Sequence, residues 1–114
     1  MLKTYSNLAT LLADADKLPY PGRIYMTQHG ELADRRFVAV SSKEAKDSDC
    51  WEFERGVRVP QIVGDPDMRS LLDVGAFQDI VTNKLEHNPE LTLSSVAVLE
   101  QAIEHYLAHD DFED

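Results

Sequence analysis

Hydrophobic positions along the chain fall into three kinds of pattern. The first is Leu8, Leu11, Leu12 and Ala15, whose spacing of three and four marks one stripe of a helix. Ser6 is placed to cap it, and Pro19 should end it. Residues 18–22, Leu-Pro-Tyr-Pro-Gly, then read as a stiff connector. The second pattern is sheet-like. Ile24, Tyr25 and Met26 and then Phe37, Val38, Ala39 and Val40 are compact apolar runs on either side of a polar turn at His29 and Gly30, which predicts a hairpin. The stretch from Ser41 to Asp49 is polar, a loop or a short surface helix. Trp51, Phe53, Val57 and Val59 share one parity against Glu52, Glu54 and Arg58 on the other. Gly56 interrupts this alternation. It fits either a bulge in one long strand or a tight turn between two strands. Pro60 cannot donate to a ladder and marks a strand end or an edge.

The third pattern is helical again. Asp65 followed by Pro66 reads as a helix start, with Met68, Leu71 and Leu72 as its apolar face. Asp73 can cap a further helix bearing Phe77, Ile80, Val81 and Leu85, with Leu72 and Phe77 as a hydrophobic staple, ending at Asn88-Pro89. Thr92 is placed to cap the last helix, with Leu91 and Val96 as staple and Val96, Leu99, Ile103, Tyr106 and Leu107 as its stripe. The expected fold class is therefore α+β: an N-terminal helix, a three- to four-stranded, mainly antiparallel sheet, and two to three C-terminal helices packed on one face.

Composition narrows the class further. The 114 residues are 43% hydrophobic, too apolar for a disordered acidic tail. A chain of this length buries roughly 65% of its unfolded surface. It is expected to be a single domain, 1–114, with a short acidic C-terminal tail. No apolar window is long enough to span a membrane, and residues 1–15 do not resemble an export signal. Together with the single cysteine, Cys50, this makes the cytoplasm the expected compartment. Asp49 and Glu52 beside that thiol disfavour a nucleophilic role, leaving Cys50 as a semi-buried filler.

Charge adds a position. The net charge is −10, which argues against a binder of nucleic acid. From Leu85 to the C-terminus there are eight acids and no Lys or Arg; the first 84 residues hold the other 13 acids and all 11 bases. Glu100 and Glu104 stand four apart on the last helix, a like-charge pair that local helix stability does not favour. A basic partner would relieve that repulsion, and so would plain solvation. The candidate partner-binding residues are Glu100, Glu104, Asp110, Asp111, Glu113 and Asp114.

Other chemistry is weaker. His105 and His109 have the i,i+4 spacing of metal ligands, but both are expected to face solvent, and Tyr106 stands where a zinc protease has its Glu. His87 reads as a helix-end residue. Glu52 and Glu54 would share a strand face, with Arg36, Arg55 or Arg58 close enough to neutralise them. There is no nucleophile elbow, phosphate loop or paired-cysteine motif. Neither enzymatic activity, a cofactor nor a metal is expected.

The Leu8–Leu11–Leu12 helix, the Trp51-to-Val59 strand and the acidic end from Glu100 to Asp114 resemble, in general character, the small acidic immunity proteins of contact-dependent growth inhibition and related bacterial toxin systems. The resemblance implies a tight complex with a cognate toxin domain, commonly a nuclease with a basic cleft. Acidic residues would stand in for substrate phosphates there and block the active site. The competing readings are a small metal-dependent enzyme relying on His105 and His109, and a structural or regulatory subunit that forms homo-oligomers.

Overall fold

The computed structural model describes residues 2–109. Its elements in chain order are β1 (Lys3–Tyr5), α1 (Leu8–Ala13), β2 (Gly22–Met26), β3 (Phe37–Ser41), α2 (Ser42–Asp47), β4 (Cys50–Glu52), β5 (Arg58–Pro60), β6 (Arg69–Asp73), α3 (Val74–His87) and α4 (Val96–His109), with short 3-10 turns between several of them. The class is α+β. Four strands form an antiparallel sheet in the order β1-β3-β2-β6, and β4 and β5 form a separate two-stranded ribbon. No described helix is long and apolar enough to cross a membrane.

The expected hairpin is the centre of that sheet. Met26 pairs with Phe37, Ile24 with Ala39 and Gly22 with Ser41. Alternate residues of β2 and β3 point to opposite faces. Ile24, Phe37 and Ala39 lie in a core with Leu8, Leu11 and Leu12 of α1, Phe77 and Ile80 of α3, and Leu99 and Ile103 of α4. Tyr25, Val38 and Val40 lie in a second core with Val59, Val63 and Met68, flanked by Trp51 and Phe53 of the ribbon. The two C-terminal helices do pack on one face, and α1 joins them there. Six residues are too few for a helix to persist in water alone. Three fully buried leucines on α1, each contributing about 1.5–3 kcal/mol, supply what propensity does not.

Several sequence expectations are corrected. A three-residue strand, β1, precedes the first helix and pairs with β3 at the edge of the sheet. Asn7, not Ser6, caps α1: its side chain accepts from the Thr10 amide at 2.9 Å, and the Thr10 hydroxyl oxygen accepts from the Asn7 amide. At Gly56 the turn alternative holds, with Arg55 at φ 62° and Gly56 at φ 74° between β4 and β5. Positive φ at two successive turn residues matches the twist of the flanking strands.

The segment after Asp65-Pro66 is strand β6, not a helix. It pairs with β2, and the register shifts between Ile24 and Tyr25, where Leu72 and Ser70 are their partners and Leu71 is the extra residue. Asp73 caps α3 as expected, accepting from the Ala76 amide at 2.8 Å. Thr92 does not cap α4. Residues 92–95 close a turn, Ser95 N to Thr92 O at 2.9 Å, and α4 starts three residues beyond its expected first residue, with the Leu99 amide on the Ser95 carbonyl.

Near the N-terminus, β1 is tied to the turn after α1. The Tyr5 hydroxyl donates to Asp14 at 2.5 Å, and Lys3 Nζ lies 3.3 Å from the same carboxylate. The Tyr5 bond, helped by Lys3, holds the Asp14 carboxyl below its ordinary value of 3.8 against a smaller opposing effect of burial. Tyr5 is raised in turn, by burial first and by Asp14 second.

Candidate functional site

The inner face of α4 buries Leu99, Ala102 and Ile103, with Val96 and Tyr106 partly covered. Leu107, expected on that stripe, is 46% exposed. At 100° per residue it falls on the neighbouring row with Glu100 and Glu104, spaced i, i+4, i+7. This row forms one wall of an open groove of about 460 Å3; the opposing wall comes from the loop between β2 and β3, including Glu31 and Arg35.

The two glutamates of the row differ in kind. Glu100 is half-buried, and its Oε2 accepts from the Ala33 backbone amide at 2.8 Å. Ala33 lies in the 3-10 turn Leu32–Asp34, which has no capping bond from its own N-cap side chain. The carboxylate of Glu100 fills that role from another element and fixes α4 against the loop. Glu104 is exposed, one turn further on, and lines the same groove. Arg35 is the only Lys or Arg in the lining, and its guanidinium is turned to the protein: Nε donates to the Gly30 carbonyl at 3.0 Å and Nη1 to the Met26 sulfur at 3.4 Å. Among the described residues, three carboxylates, those of Glu31, Glu100 and Glu104, thus share the groove with one committed guanidinium and an exposed leucine.

Of the six sequence candidates, Glu100 and Glu104 meet in this groove; Asp110, Asp111, Glu113 and Asp114 lie outside the described residues. The sequence pattern alone does not point to Glu31, Arg35 or Leu107 as site residues. The loop pair carries no periodic signal, and the spacing of Leu107 places it on the core stripe.

The remaining candidates are separately placed. The His105 and His109 rings lie with centroids 4.5 Å apart and their planes tilted by 41°. Among the described residues, no group of three or more His, Cys, Asp or Glu side chains is arranged to hold a metal ion. His87 Nδ1 donates to the Asn83 carbonyl at 2.8 Å, closing its helix end. Glu52 and Glu54 do not share a strand face: Glu52 pairs with Arg58 at 3.3 Å, and Glu54 falls in the ribbon turn. Cys50 is half-buried on β4.

Comparison with protein families, with curated proteins and with solved structures finds no match for this chain.

Proposed function

We propose that this chain is a binding protein that neutralises a cognate toxin domain carrying a basic surface, in the manner of the immunity proteins it resembles, and that it meets this partner in the cytoplasm. The observation that supports the reading is the groove beside α4, where Glu31 and Glu104 are exposed and the one cation is already bonded inward. Such a groove attracts Lys and Arg side chains and repels phosphate. The exposed Leu107 adds an apolar contact at its rim. Contacts of this kind fix orientation and speed encounter. A toxin held by its basic cleft would be closed to its own substrate.

The test is direct. The full chain is mixed with the toxin domain encoded immediately upstream of it, and the toxin's activity and complex formation are followed together. A stoichiometric complex with loss of activity is expected. Unimpaired toxin activity in the presence of excess chain sinks the proposal.

A further inference from the structure

A second groove lies on the opposite face of the sheet, in the seam between the sheet and the ribbon. Its volume is about 410 Å3, and its lining includes Tyr25 of β2, Lys46 of α2, Ser48, Cys50 of β4, and Arg58 and Pro60 of β5. Acids outnumber bases 21 to 11 in the whole chain, yet no carboxylate is among these lining residues and two cations are.

Tyr25 supplies an independent observation. The residue is only 6% exposed. Its hydroxyl makes no hydrogen bond to any described residue, while every fully buried side-chain nitrogen and oxygen among them has a partner. The hydroxyl therefore opens onto the groove that Tyr25 lines. Burial, with a smaller contribution from Cys50, raises this phenol above its ordinary value despite Arg23, so it stands in the groove as a protonated donor without an acceptor.

The other polar groups are differently placed. Ser48 Oγ already accepts from the Ile62 amide and donates to the Asp49 carbonyl. The Cys50 sulfur lies 3.9 Å from the Ser48 carbonyl, a weak contact. Arg58 pairs with Glu52, but the two side chains are 66% and 71% exposed, and an ion pair in water gives way readily to a better-held anion. A donor-rich, cation-flanked groove of this size suits a small acceptor-rich ligand.

We propose that this groove binds a small oxyanion, a carboxylate or phosphate group, held between Lys46 and Arg58 with the Tyr25 hydroxyl donating to it and the Cys50 thiol alongside. The site is independent of the acidic groove on the helical face.

Cys50 itself is the reporter. Its alkylation by anionic iodoacetate is compared with that by neutral iodoacetamide, and the ratio is set against that of an unstructured peptide spanning residues 48–52. The folded chain should favour iodoacetate several-fold more than the peptide does. Inorganic phosphate or acetate, at constant ionic strength, should slow that reaction, and the stronger protector identifies the class of ligand. Lys46→Gln and Arg58→Gln should each reduce the preference. Tyr25→Phe, which keeps the ring packing, should weaken the protection with the circular dichroism unchanged. A preference at or below the peptide's, which the overall charge of −10 alone would produce, overturns the proposal. A preference that neither anion reduces overturns it as well.

Discussion

The Glu100 carboxylate and the Ala33 amide meet at 2.8 Å across 67 residues of sequence, so a charge on the last helix closes a loop of the sheet. A charged acceptor on a half-buried amide contributes about 1.5–3 kcal/mol. Glu100→Ala should therefore lower stability by about 2 kcal/mol in urea unfolding, and Glu100→Gln by less, because its carbonyl still accepts. Glu104→Gln, one turn away and exposed, should change stability by no more than about 0.5 kcal/mol. With the proposed toxin partner the order should reverse for kinetics. Glu104→Lys should slow association and flatten its salt dependence, while dissociation changes less. Equal stability losses at positions 100 and 104 would contradict the division of roles.

Arg55 occupies the left-handed region at φ 62°, ψ 26°, in a turn where glycine or asparagine is at ease. Arg55→Gly should stabilise the ribbon by about 0.5–1 kcal/mol, with Arg55→Asn close behind. A rise in thermal midpoint of a few degrees would register it, and a fall would show that the arginine side chain offsets its own backbone cost.

Gly22 is needed for lack of space. A Cβ at this position would stand 2.4 Å from the Pro19 carbonyl oxygen and 2.6 Å from that of Val40, both backbone atoms. Gly22→Ala should destabilise by about 1–3 kcal/mol through displacement of the β2–β3 hairpin. Gly30→Ala, where no atom lies within 4 Å, isolates the cost of positive φ alone and should be milder.

Asp14 carries a pH signature. Its folded-state value lies below the ordinary 3.8 because Tyr5 and Lys3 favour the charged form. The unfolded chain therefore takes up the proton first. The stabilisation is present above the ordinary value and is lost as pH falls through the folded value. Asp14→Asn should remove a portion of the acid destabilisation measured as pH falls through the ordinary value and below it. Tyr5→Phe should remove a similar portion, because its hydroxyl is the main cause of the shift.

The central hairpin and α3 were legible because each rests on local chemistry: apolar runs around a polar turn, and an acid before a helical repeat. Strand β6 was misread for a physical reason. Its extra residue at Leu71 breaks the period of two, so that Leu71 and Leu72 both belong to the helical-side core while Met68 serves the other. That bulge imitates the three-and-four spacing of a helix. Strand β1 is only three residues long and owes its form to pairing with β3, a partner more than thirty positions away. The acidic character of α4 was legible from residue counts, and the split between a bonded Glu100 and an open Glu104 was not. That split depends on an amide in a distant turn. The cation-flanked groove was equally hidden, because its lining comes from four separate elements brought together by the ribbon.

Strand β3 is covered on both sides, with Phe37 and Ala39 turned to one core and Val38 and Val40 to the other. A strand that belongs to both cores leaves the helical layer and the ribbon layer no separate melting to undergo. Its amides, paired with β1 on one side and β2 on the other, should exchange with solvent only when the whole chain opens. Damage to either layer then reaches the other as a loss of global protection, and a mutation in the ribbon should be felt in the lifetime of the acidic groove.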